Sequence, residues 1–251
     1  MKSRRSIRSA ADPGAFSMVE LLVVIAILGI LSTLLLPALA GARHCARSAS
    51  CTSNLRQLGV ATQLYWDEND GAAFRFRGAA TNGGDIFWFG WLERGEEGQR
   101  RLDPTRGVLW PYLGSREVQN CPELPTRGPA FKPKALGGSG GYGYNLHLSA
   151  PAAHPPVRAA AIPQPALTAV FADAAQVNDF QPPATPERPL LEPFHYVNTT
   201  EATAHFRHQQ RSLVVFADTH VARESARPKS FDPRMPHARV GRLRPAILEW
   251  H

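Results

Sequence analysis

The chain has 251 residues, 43% hydrophobic and 20% charged, which suits one globular domain with an extension and excludes a disordered chain. Its net charge of +7 is confined to the ends: Lys2, Arg4, Arg5 and Arg8 against Asp12 in residues 1–15, and seven basic against three acidic side chains in residues 223–251. A neutral middle gives no nucleic-acid footprint, and three cysteines without a CxxC pair give no support for a structural zinc site.

The first element follows the basic stretch. From Phe16 to Ala42 the only charged residue is Glu20, and residues 21–40 are almost wholly apolar. About 20 such residues cross a bilayer as a helix. The basic stretch before the run keeps the N-terminus cytoplasmic by the positive-inside rule. A cleaved signal peptide is the alternative, with Ala38-Leu39-Ala40 as its cleavage site, but its apolar region would run only about 7–15 residues. A plain anchor leaves Glu20 unexplained, because an acidic residue inside a membrane helix costs ~2.5–3.5 kcal/mol and needs a partner.

The stretch Gly14-Ala15-Phe16-Ser17-Met18-Val19-Glu20-Leu21-Leu22 resembles the type IV prepilin cleavage and methylation motif. The resemblance implies a cut between Ala15 and Phe16, N-methylation of Phe16, and Glu20 at the fifth mature position. The family prefers Gly before the cut; here Ala15 stands there and Gly14 one place earlier. It also implies that Glu20 of one subunit pairs with the Phe16 amine of a neighbour. A buried carboxylate is tolerated beside such a cation.

The helix is expected to continue past the membrane segment, with a kink or local unwinding at Pro37. Cys51, Leu55, Leu58, Thr62 and Tyr65 recur at helical spacing and form a stripe suited to lie on a globular head. Asn69-Asp70-Gly71 is the stop signal. In the head, Ile86-Phe87-Trp88-Phe89 predicts a strand, and residues 137–143 predict a flexible loop without the Gly-Lys-Ser/Thr of a phosphate-binding loop. Ala169-Val170-Phe171-Ala172-Asp173 and Val214-Val215-Phe216-Ala217-Asp218 are two similar apolar runs, predicted to be strands of one sheet.

His208 and Asp218, nine residues apart, resemble the H-x9-D-G signature of a large group of pilin-like proteins from planctomycetes and their relatives. Cys51-Thr52-Ser53-Asn54-Leu55-Arg56-Gln57-Leu58-Gly59, Cys121-Pro122 and Tyr142-Gly143-Tyr144-Asn145 resemble its other short motifs. Thr219 departs from the signature, which has Gly after the Asp. A β-branched residue resists positive φ, so the turn must differ in type or be strained.

His208, Asp218 and His220 are candidate ligands for a divalent cation; the alternative is a His208–Asp218 hydrogen bond that pins a hairpin. Asp67, Asn69 and Asp70 read as a solvated helix end, and Trp88, Phe89 and Trp91 as core. No nucleophile motif occurs, so no catalytic residue is assigned and an enzyme is not expected. Cys45 and Cys51, six apart on a helix, point about 240° apart and cannot bridge. Cys51 shares the head-facing stripe, and Cys121 lies in a loop-like stretch, so a Cys51–Cys121 disulfide is expected if the head lies in an oxidising compartment.

The expected fold is α+β and pilin-like: a leader at 1–15, a helix at 16–70 (transmembrane over 18–42, then amphipathic), a head at 71–222 with an antiparallel sheet and long loops, and a solvated basic tail at 223–251. The resemblance implies a structural subunit of a type IV pilus or a type II secretion pseudopilus, without a cofactor. Its partners would be prepilin peptidase, sister pilins, the inner-membrane assembly platform and membrane lipid, with no nucleic acid. The protein would be single-pass in the inner membrane, with the head in the periplasm. The alternatives are a membrane-tethered periplasmic binding domain, for instance for carbohydrate, and a metal-dependent hydrolase.

Overall fold

A computed structural model describes residues 17–114, 118, 120–137, 140–149 and 154–250. The chain divides into two compact units, one through Cys45 and one from Ala46. Helix α1, Met18–Glu68, contributes to both.

In the first unit, α1 carries a segment with mean hydropathy 2.7, long and apolar enough to span a membrane. Its large apolar side chains from Met18 to Leu36 are exposed, which in water would be a severe hydrophobic cost. The helix runs through Pro37 without a break, where a kink or unwinding is expected from sequence.

The second unit is built on the rest of α1 and on β-structure. Strands β1 (Arg77–Thr81), β2 (Gly84–Phe87), β3 (Gly90–Glu93) and β4 (Leu102–Asp103) form a four-stranded antiparallel meander. The chain continues through β5 (Tyr142–Asn145), β6 (Ala169–Asp173), β7 (Ala175–Asn178), β8 (Leu190–Pro193) and β9 (Tyr196–Val197). It ends with β10 (Ala204–His205), β11 (Arg211–Phe216), β12 (Val221–Ser225) and β13 (Val240–Gly241). The central sheet has the order β12-β11-β6-β5-β9; β7 pairs β8 and β10 pairs β13. It is mixed, because β9 runs parallel to β5, where an antiparallel sheet is expected from sequence. The two similar apolar runs are neighbours in it: β6 and β11 pair antiparallel, with Val215 opposite Phe171.

Alternation along β11 sorts its side chains between two cores, as a period of two requires. Leu213 and Val215 join the core that holds Cys51, Leu55 and Leu58 of α1, while Val214 and Phe216 join a second core with Leu243, Ile247 and Leu248. Full burial of a leucine such as Leu55 or Leu58 contributes about 1.5–3 kcal/mol. Of the helical stripe, Cys51, Leu55, Leu58 and Thr62 are buried and Tyr65 is half-buried. Gly59 permits the close approach of α1 to β11: a Cβ at this position would lie 2.7 Å from Val215 Cγ2. The helix stops where the backbone turns left-handed at Asp70 (φ 52) and Gly71 (φ 74), with Gly71 N–H donating to Trp66 O at 2.8 Å.

Three further sequence expectations are corrected. Residues 86–89 are not one strand: Phe87 and Gly90 pair across a two-residue turn, and Trp88 turns inward to donate from Nε1 to His195 O. Core burial of the indole outweighs its β propensity. Tyr142 and Gly143, expected in a flexible loop, belong to β5 in the central sheet. Residues 223–250 are not a solvated tail; Val240, Leu243, Ile247 and Leu248 are buried, and Arg244 pairs with Glu224 at 2.8 Å. The apolar residues between the arginines supply the reason, since they complete the second core.

Candidate functional site

Ala15 and Phe16 lie outside the described residues. The next residues form a capping box at the start of α1. Ser17 Oγ accepts from Val19 N–H at 3.1 Å and from Glu20 N–H at 3.4 Å, and Glu20 Oε2 accepts from Ser17 N–H at 2.9 Å. Glu20 therefore holds its carboxylate at the positive end of the helix dipole. The sequence signal for this box is the pattern Ser-x-x-Glu at the head of the apolar run.

A second constellation lies inside the head. Cys51 on α1 and Cys121 in the loop after the meander form a disulfide with a Cα–Cα distance of 5.0 Å, and Cys45 is free and exposed. His208 Nε2 lies 3.5 Å from Cys121 Sγ and 3.2 Å from Asp173 Oδ2. Asp173, at the end of β6, also accepts from Leu213 N–H at 2.7 Å and from Arg207 Nη2 at 2.6 Å. Burial alone would raise the Asp173 pKa. The Arg207 charge, the His208 bond and the Leu213 N–H outweigh it and hold the carboxyl below its usual range. Asp173 was missed as a site residue, although the repeated Phe-Ala-Asp ending of the two apolar runs marked it.

This cluster is not a Cys–His–Asp relay. In a relay the carboxylate and the sulfur use different ring nitrogens. Here both approach Nε2, and Nδ1 has no hydrogen-bond partner among the described residues. Cys51, Cys121 and His208 bring metal-ligand atoms within 4.8 Å of one another. With the two sulfurs bonded to each other, neither offers the thiolate that a metal needs.

His208, Asp218 and His220 do not come together. His208 precedes β11, whereas Asp218 and His220 follow it, separated by six strand residues or about 20 Å. His208 is fully buried; Asp218 and His220 are exposed and bond through Nδ1 at 2.6 Å, with the His220 ring stacked on Phe216. Neither the three-residue cation site nor the His208–Asp218 pin is therefore formed, because an extended strand holds its ends apart. The turn itself resolves the departure at Thr219. Phe216 N–H donates to His220 O at 3.0 Å, closing a three-residue loop, and Thr219 takes the left-handed position with φ 73.

The remaining candidates are structural. Asn69 Nδ2 donates to Tyr65 O at the helix end. Trp88 and Trp91 are buried, Trp91 Nε1 donates to Thr81 Oγ1 at 2.7 Å, and Phe89 packs on His195. No known family model matches the chain, and no curated protein or solved structure does.

Proposed function

We propose that the chain is a type IV pilin-like subunit, cut between Ala15 and Phe16 and assembled in the inner membrane through α1 into a pilus or secretion pseudopilus. One observation carries the reading: Glu20 is the only charge in a membrane-length apolar segment and stands in its first turn. A tether has no use for a carboxylate there, whereas a filament can pair it with the free amine that cleavage creates. The capping box is compatible with this role, since it engages Glu20 through Oε2 and holds the carboxylate at the first turn of α1, against Ser17 N–H. In this reading the head faces the periplasm. Prepilin peptidase, sister subunits and the assembly platform are the partners, and no catalytic step is assigned.

The test is Glu20→Leu. The variant should insert into membranes at least as well as the parent and should fail to enter filaments. Normal incorporation of the variant would remove the pairing from the account.

A further inference from the structure

An open cleft of about 380 Å³ lies in the head between the loop of residues 123–131 and the short helical turn Pro236–Ala238. That volume is within the range of small-molecule sites. Its floor is apolar, with Leu191 and Met235 buried and Phe131 half-buried. Its walls carry Arg127 and Arg239, both exposed, and neither guanidinium has a partner among the described residues.

Two further features belong to this cleft. Arg239 holds a left-handed backbone (φ 54, ψ 38), an unfavourable conformation for a side chain of its type, and Phe206 N–H fixes it by donating to Arg239 O at 3.0 Å. Arg207 lines the cleft with its Nε buried and without a hydrogen-bond partner, while its terminal nitrogens are engaged by Asp173 and by backbone carbonyls. Asp173 neutralises Arg207, so the cations left over are Arg127 and Arg239, against the single carboxylate of Glu123 on the walls.

We propose that this cleft is a binding site for a small organic carboxylate with an apolar body. The carboxylate lies between Arg127 and Arg239, whose planar forks match its two oxygens. The body lies over Leu191 and Met235. The site stands on the head alone, so it holds whether or not the chain assembles into a filament.

The test uses the full chain in nanodiscs of zwitterionic lipid, with empty nanodiscs as the blank. Isothermal titration calorimetry compares 3-phenylpropionate with the uncharged 3-phenylpropanamide. The acid should bind saturably at one site per chain, and the amide about tenfold more weakly or worse. Arg127→Glu with Arg239→Glu should weaken the acid by about tenfold or more while leaving the thermal unfolding midpoint unchanged. Ala130→Trp, on an exposed wall of the same cleft, should block the acid on steric grounds. Absence of saturable binding of the acid overturns the proposal, as does equal affinity for the amide, or unchanged affinity in the two variants.

Discussion

Arg207 donates to Asp173 at 2.6 Å, and neither side chain is more than 3% exposed. A pair this deep is costly to break from one side, by about 3–5 kcal/mol, because the other charge is left buried and uncompensated. Asp173→Asn should lower stability by roughly that amount, read as a fall in the urea midpoint at pH 7. An unchanged midpoint would show that Arg207 is held by its carbonyl partners alone.

Acid should destabilise the head well above the range in which carboxylates titrate. Burial, and after it the charge of the neighbouring Arg207, pushes the His205 pKa down to about 3; burial and the charges of Lys134 and Arg100 hold His195 well below the usual histidine range. In the unfolded chain both titrate near 6.5. Below that value the unfolded state binds more protons, so stability is full above about 6.5 and falls with pH by about 1.4 kcal/mol per unit for each histidine. Asp173 adds to the loss at lower pH. Its folded pKa is depressed, so its contribution is complete above its unfolded value of about 4 and disappears as pH falls through the folded one. Denaturant midpoints between pH 7.5 and 4 should decline from near 6.5 downward; a flat profile from 7 to 5 contradicts neutral burial of the two rings.

The Cys51–Cys121 bridge closes a loop of 70 residues, and in the chain-entropy model this contributes about 4 kcal/mol. Both cysteines are buried, whereas Cys45 is exposed. Thiol titration of the native chain purified without reductant should find one reactive cysteine, and two more should appear only after unfolding with reductant. Three reactive thiols in the native protein would be the contrary result.

Thr219 occupies a left-handed position that glycine tolerates better. Thr219→Gly should stabilise the head by about 1 kcal/mol, the strain removed exceeding the entropy added to the unfolded chain. The thermal midpoint should rise by about 2–4 °C for a chain of this size. A fall would mean that the Thr219 side chain contributes more than its backbone costs.

How much of this was legible depends on the range of the interaction. The helix, its stop at Asp70-Gly71, the stripe from Cys51 to Thr62 and the existence of β6 and β11 as strands follow from periodicity and turn chemistry, which are local; that the two share a sheet was suggested by their likeness, and their direct pairing is seen only in the structure. The sequence also marked Cys51 and Cys121, because helix geometry leaves Cys51 no partner in Cys45. The grouping of His208 with Asp218 and His220 failed because closeness in sequence across a strand is distance in space. The partner of His208 is Asp173, 35 residues earlier and one strand away. Residues 223–250 read as a tail because of their basic charge, seven basic side chains against three acidic, although Leu243, Ile247 and Leu248 are the ones that decide their burial. The cleft beneath Arg239 was not visible at all, since it joins residues more than 100 positions apart.

The central claim is that this chain is a processed pilin-like subunit, and its most direct test is the N-terminus of the full-length protein extracted from membranes. Intact-mass and N-terminal peptide mass spectrometry should find a chain that begins at Phe16 with an N-methyl group. A chain that begins at Met1 would contradict processing and leave a tether, and one that begins at Gly41 would show a secretory signal peptide instead.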